Sequence, residues 1–119
     1  MSEQNKEVCI RFIKTMSVGD AESAGACLAR DIKIVSKGFS KISGERGYDE
    51  MIPNIASFKQ LMPDGLRPII HSVTAEGNRV AVEFEGDATL NTGEPYRNQY
   101  VMVFTVEGGK IKLINEYFC

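Results

Sequence analysis

The chain holds one histidine and three cysteines in 119 residues. Cys9, Cys27 and Cys119 are odd in number and far apart, and with His71 alone they make no zinc spacing. No apolar run approaches the ~20 residues needed to cross a bilayer. The N-terminus, MSEQNKEV, is polar and lacks a signal-peptide core. A cytoplasmic location is therefore expected, with the thiols reduced. Basic runs are also absent. Fourteen basic residues face sixteen acidic ones, for a net charge of -2. That balance gives no electrostatic reason to expect a nucleic acid or a membrane surface as partner. There is no GxSxG, P-loop or GxGxxG motif, and Gly44-Glu45-Arg46-Gly47 reads as a loop and helix start rather than a phosphate cradle. No repeat, low-complexity stretch or linker interrupts the chain, so residues 1–119 are expected to form one domain.

What is present is a change of period halfway along. Val8, Cys9, Phe12, Ile13 and Met16 follow helical spacing, which predicts a helix over 3–17 that ends at Gly19. Cys9 and Cys27 fall on helical apolar stripes, where burial is their expected role. Asp20 can cap a second helix with Ala24, Cys27 and Leu28 on its apolar face. An extended stretch, Ile32 to Ser36, and a polar connection, Gly38 to Gly47, follow. A third helix is predicted from Arg46 to Met62, with a break or restart at Pro53. Then come four strands: Leu66–Ala75, Arg79–Leu90, Tyr96–Val106 and Lys110–Phe118. Glu76-Gly77, Thr92-Gly93 and Gly108-Gly109 join them as hairpin turns. Helices first and a strand meander after argue for an α+β roll, with the helices on one face of a curved antiparallel sheet.

Strand parity sorts the side chains. Glu83, Glu85 and Asp87 share one face of their strand; Val80, Val82 and Phe84 share the other. A tight two-residue turn within Asn91–Glu94 would set Asp87 opposite Asn98, Glu85 opposite Tyr100 and Glu83 opposite Met102. Asn98, Tyr100, Met102 and Phe104 would then lie on the acidic face, and Val101, Val103 and Thr105 on the valine face. Two arrangements follow. Either the acids face solvent and the valines form the core, or the acids line a concave pocket and the valine face needs a partner. Glu116 divides similarly. A two-residue turn at Gly108-Gly109 pairs it with Val101 on the outer face, and a three-residue loop with a bulge pairs it with Met102 in the pocket. A tight Glu76-Gly77 hairpin would put His71 opposite Val82, away from Glu83, as a structural or interface residue. Tyr48 and Phe58 on the third helix could line the pocket mouth or pack in the core.

The run Ala75-Glu76-Gly77-Asn78-Arg79-Val80-Ala81-Val82-Glu83, with Thr92-Gly93, Tyr96, Asn98, Tyr100, Gly109-Lys110-Ile111 and Glu116-Tyr117-Phe118, resembles the SnoaL-like polyketide-cyclase group of the nuclear-transport-factor-2-like superfamily. Relatives there include ketosteroid isomerase and limonene epoxide hydrolase, together with non-catalytic binding and association domains. The resemblance implies a cone-shaped fold around a pocket and a homodimer paired sheet to sheet. It places Glu116 where limonene epoxide hydrolase carries a catalytic aspartate on its last strand. It places Glu83 and Glu85 at that enzyme's arginine and aspartate, and Ile34 and Ser36 at its water-holding tyrosine and asparagine. Taken together, it favours inward acids.

The expected site is then Glu83, Glu85, Glu116 and Tyr100 as catalytic groups. Asn98, Met102, Phe118, Phe58 and Tyr48 would contact the substrate. Crowded, poorly solvated carboxylates have raised pKa values and can serve as general acid and base. Glu83 is the first-choice base, Glu116 the second, and Tyr100 or Asn98 an oxyanion donor. Isomerisation, cyclisation, dehydration or epoxide hydrolysis of a small apolar terpenoid, steroid or polyketide-like molecule would suit such a site, with no metal or organic cofactor. The alternative is a pocket that binds a ligand without changing it, or a domain for association.

Overall fold

A computed structural model describes residues 2–38 and 43–119, so the Gly38–Gly47 connection lies partly outside the described residues. Helix α1 (Ser2–Ser17) buries Val8, Cys9, Phe12, Ile13 and Met16 on one face, as the spacing predicts. Gly19 ends it at φ +74°, a conformation open to glycine, with its N–H donating to Met16 O at 2.9 Å. Asp20 caps α2 (Ala21–Ala26) by accepting from the Ser23 N–H at 3.1 Å. Hydrogen bonding from the Ser23 side chain, and then from its backbone N–H, holds the Asp20 carboxyl below its ordinary pKa. Strand β1 (Leu28–Ser36) starts four residues before the expected Ile32, and a short strand β2 (Gly44–Arg46) sits in the polar connection.

Helix α3 (Tyr48–Leu61) runs through Pro53 without the expected break. Buried Met51 and Ile55 anchor the helix on either side of the proline. The Glu50 side chain also accepts from the Gly47 N–H at the helix start, at 3.2 Å. Strands β3 (Arg67–Glu76), β4 (Arg79–Thr89), β5 (Pro95–Glu107) and β6 (Lys110–Phe118) complete a six-stranded sheet in the order β2-β1-β6-β5-β4-β3. Its pairs are antiparallel apart from β1 and β6, which run parallel. The three helices lie on the inner face of the curled sheet. Phe12 of α1 meets Phe104 of β5 edge to face, 6.2 Å between centroids, among Val80, Val82, Ile111 and Ile114.

The turn between β4 and β5 is one residue longer than the tight turn expected. Leu90 and Glu94 are joined by a 2.8 Å backbone bond, and Asn91, Thr92 and Gly93 form the loop, with Gly93 at φ +89°. This three-residue loop changes the register by one. Phe84 pairs with Tyr100, Val82 with Met102, and Glu83 with Val101. Tyr100, Met102 and Phe104 therefore share the inner face with Val80, Val82 and Phe84. Glu83, Glu85 and Asp87 share the outer face with Val101, Val103 and Thr105. The inward placement of Glu83 and Glu85 is corrected accordingly.

On β6, Gly108 and Gly109 form a two-residue turn, both with positive φ, and pair Glu107 with Lys110. The register then slips by one beside Val106, so Glu116 pairs with Met102 and faces inward. The bulge expected at the turn lies within the strand pair instead.

Gly86 is buried on the inner face of β4. A Cβ there would fall 2.7 Å from both Leu66 methyl groups, so Leu66 packs directly on bare backbone. Gly86→Ala is expected to cost about 1–2 kcal/mol, read as a lower urea midpoint at unchanged slope. An unchanged midpoint would mean that Leu66 has room to move.

Candidate functional site

The curl of β4, β5 and β6 and the ends of α1 and α3 enclose a cavity of about 190 Å³. Its wall is mostly apolar: Phe58 and Leu61 from α3, Met62 just after it, Leu66, and Phe84 and Met102 from the sheet. Glu116, Tyr100 and Tyr96 add polar groups. The wall is tied together at its rim. The Asn91 N–H donates to Leu61 O at 2.8 Å and its Nδ2 donates to Gln60 O at 2.9 Å, which pins the β4–β5 loop to the end of α3. The Leu66 N–H donates to Ser17 O at 2.8 Å, which pins the start of β3 to the end of α1.

Glu116 lies between β1 and β5. Its Oε1 accepts from Ser36 Oγ at 3.2 Å, and Ser36 Oγ in turn accepts from Arg46 Nη1 at 2.9 Å. Burial pushes the Glu116 carboxyl above its ordinary pKa. The Ser36 hydroxyl and the Arg46 charge oppose the rise without cancelling it. In the same cavity wall the Tyr96 and Tyr100 hydroxyls lie 2.5 Å apart, and Asn98 Nδ2 donates to Tyr96 Oη at 3.4 Å. Burial pushes Tyr100 upward first, followed by its bond to Tyr96 and the nearby Glu116 charge. Tyr100 is thus a neutral phenol that can donate a hydrogen bond. Its ring stacks on Phe84 with centroids 5.0 Å apart.

The cavity thus brings together Glu116, Tyr100, Met102 and Phe58 from the sequence-predicted set, with Asn98 behind Tyr96. Phe118 packs on the Tyr100 ring, 6.3 Å between centroids, rather than lining the cavity. Tyr48 is corrected as well. Its hydroxyl lies against Gly25 of α2 and its ring sits 4.1 Å beneath the Arg30 guanidinium, away from the cavity. Glu83 accepts from Ser72 Oγ at 2.8 Å on the outer face. Glu85 lies there too, bonded to His71 Nε2 at 2.9 Å and Arg97 Nη2 at 3.2 Å. The His71 bond and then the Arg97 bond hold Glu85 below its ordinary pKa, the opposite of what a poised acid needs. His71 occupies a bulge in β3, opposite no single β4 residue, and is exposed. A shallower outer groove of about 410 Å³ runs past His71, Glu83, Val101 and Tyr117.

Sequence reasoning missed Arg46, Tyr96 and the apolar α3 end, Leu61 and Met62. Tyr96 follows from the corrected parity, since it is an even-numbered β5 residue like Tyr100. Nothing in the sequence near Arg46 signals a residue that reaches Ser36. The buried thiols are not reactive groups: burial pushes Cys9 up to about 12 and raises Cys27. No described helix is long and apolar enough to cross a membrane. Among the described residues, no three histidine, cysteine or acidic side chains cluster as metal ligands.

Similar folds occur in solved structures. An LEH-like epoxide hydrolase of M. tuberculosis matches with a TM-score of 0.82 at 22% identity, over 98% of this chain and 84% of that one. An NTF2-like protein of Anabaena variabilis matches at 0.81 and 20% identity, over 98% and 90%. AusH of Aspergillus nidulans matches at 0.87 and 12% identity, over 100% and 86%. At such identities the likeness is one of fold. No curated protein sequence matches the chain. The SnoaL-like domain family matches residues 10–114, nearly the whole chain, and the protein belongs to that family.

Proposed function

We propose that the cup binds a neutral, single-ring molecule carrying a carbonyl oxygen, and that Glu116 moves a proton on it without a cofactor. The observation that carries this reading is a carboxyl with a raised pKa in a mostly apolar cavity that also holds a pair of hydrogen-bonded phenols. A buried carboxylate is a stronger base than an exposed one and is matched to proton removal beside a carbonyl. Glu116 takes a proton from the carbon next to the carbonyl and returns it to another carbon of the same conjugated system. Tyr100 donates to the enolate oxygen meanwhile. The net reaction is an isomerisation, balanced in protons and electrons.

Size supports a small substrate. An apolar cavity of about 150 Å³ admits benzene, so 190 Å³ suits one ring with short substituents. Epoxide hydrolysis draws less support. It needs a second group to hold and activate water, and the inward β4 positions are Val82, Phe84 and Gly86. That same apolar stretch favours a second reading, in which the pocket holds its ligand unchanged.

Proton exchange distinguishes the two. A panel of cyclic enones and their β,γ-unsaturated isomers is incubated with the protein in deuterated buffer and read by NMR. Wild type should speed deuterium incorporation, Glu116→Gln should lose about 100- to 10,000-fold of that rate, and Tyr100→Phe about 100-fold. Equal exchange with Glu116→Gln would sink the acid–base role. Binding of a panel member with no wild-type exchange would favour the ligand-holding reading.

Stability should move the other way. The raised folded pKa means that the native state holds the Glu116 proton more tightly than the unfolded chain. Its contribution is fully present below the ordinary carboxylate pKa and is lost as pH rises through the folded value. Glu116→Gln carries no charge to bury. It should melt about 3 °C higher than wild type at pH 8 and close to it at pH 4. A variant less stable at both pH values would contradict the burial penalty.

We also propose a second copy of the chain as partner, through the outer face of the sheet. Val101, Val103 and Leu113 lie there beside Tyr117 and Ile69, which are 46% and 37% exposed. Around them the charges are already matched within the sheet, Arg67 with Asp87 and Arg97 with Glu85. Light scattering should give twice the 13.2 kDa chain mass, and Val103→Lys should halve the measured mass. A wild-type monomer would remove the proposal.

A further inference from the structure

Strand β2 is three residues long, at the sheet edge, and would add little to the fold by itself. Yet it delivers Arg46 to Ser36, a residue only 3% exposed. Ser36 pairs with Glu116 across the parallel β1–β6 ladder. Three strands thus align a guanidinium, a hydroxyl and a carboxyl, with heavy-atom separations of 2.9 and 3.2 Å.

We infer that Arg46 is a positioning residue for Glu116, acting through Ser36 to hold Oε1 as an acceptor and leave Oε2 as the oxygen that carries the exchangeable proton. This rests on the reading of Glu116 as the proton-moving group. The direction of the relay follows from what each group can do. A guanidinium only donates, so it takes a lone pair of the Ser36 hydroxyl. The hydroxyl has one hydrogen, and the carboxyl oxygen Oε1 is the acceptor it reaches. Reversal would need the proton on Oε1 and the hydroxyl accepting from both sides. That would set two donors on Ser36 and leave its own hydrogen to find another partner. The charge-assisted bond from Arg46 also polarises the hydroxyl toward the carboxylate. Arg46 therefore fixes which oxygen is free and limits how far burial raises the Glu116 pKa.

The test follows the Glu116 side-chain carboxyl carbon by NMR in the full-length protein, across a pH titration. Arg46→Met should raise the titration midpoint by about one pH unit. Arg46→Lys should recover part of that shift, and Ser36→Ala should move it in the same direction as Arg46→Met. Arg97→Met removes an equal charge on the outer face and should shift the midpoint less than Arg46→Met. The inference is overturned if Arg46→Met titrates as wild type, or if Arg97→Met shifts it as much. Should Arg46→Met fail to fold, an unshifted Ser36→Ala midpoint overturns the inference, and a raised one upholds it. The readout needs no substrate. If Glu116→Gln keeps full exchange activity while Arg46→Met still moves the midpoint, the relay stands and the catalytic reading falls.

Discussion

The packing of α1 on the inner face of β4 and β5 is the contact on which the other features depend. Phe12, Ile13 and Cys9 need an apolar surface, and each strand offers two faces of opposite character. On β4 one face is Val80, Val82 and Phe84; the other is Glu83, Glu85 and Asp87. Burying the first contributes about 1.5–3 kcal/mol for each large side chain. Burying the second would cost several kcal/mol per ion without close partners. The apolar face wins by a wide margin, and the parity of β4 is settled. The ladder then carries that choice across the sheet to Tyr100 and Met102 on β5 and to Glu116 on β6.

Glu116 is the exception that this rule permits. Met102 opposite it and Ile114 beside it on the inner face are apolar, and its carboxyl bears the cost of burial as a raised pKa. Ser36 and Arg46 reduce that cost on one side only, and the other side opens on the cavity. Glu85, by contrast, sits on the solvent face with two cationic or hydrogen-bonding partners and a lowered pKa. The two carboxyls differ in environment rather than in chemistry. One is held ionised by its partners at the surface; the other is pushed by burial toward its protonated form. Only the second kind of environment suits a group that must both take and return a proton.

Much of the architecture is legible in the chain. The apolar spacing of α1, the cap at Asp20 and the four glycine-punctuated strands depend on neighbours within a few residues. The site depends on finer counts. Thr92-Gly93 signals a turn between β4 and β5 but does not say whether two or three residues form it, and one residue exchanges the two faces. Glu116 shows the same sensitivity, because its inward position comes from a bulge inside β6 that no turn residue marks. The apolar pattern of Val80, Val82 and Phe84 marks the inward face of β4, whereas the resemblance to limonene epoxide hydrolase implies the opposite face. Arg46 and Tyr48 fall at the junction of β2 and α3, where long-range contacts with β1 and α2 decide their directions. Such contacts leave no periodic trace.

The same packing that fixes the site also limits it. Gly86 lacks a side chain, so Leu66 lies against the β4 backbone and closes one wall of the cavity. Asn91 clamps the β4–β5 loop onto α3 and closes another. What remains is a space of about 190 Å³ lined by one carboxyl, a phenol pair and apolar side chains. With apolar residues at the inward β4 positions, that carboxyl has no second acid there to share the work. A mechanism that needs two carboxyls at once would therefore lack one of them on this wall. A proton carried out and back by the same carboxyl needs neither a second acid nor a bound water, and of the reactions a raised-pKa carboxyl could serve it makes the fewest demands on this wall.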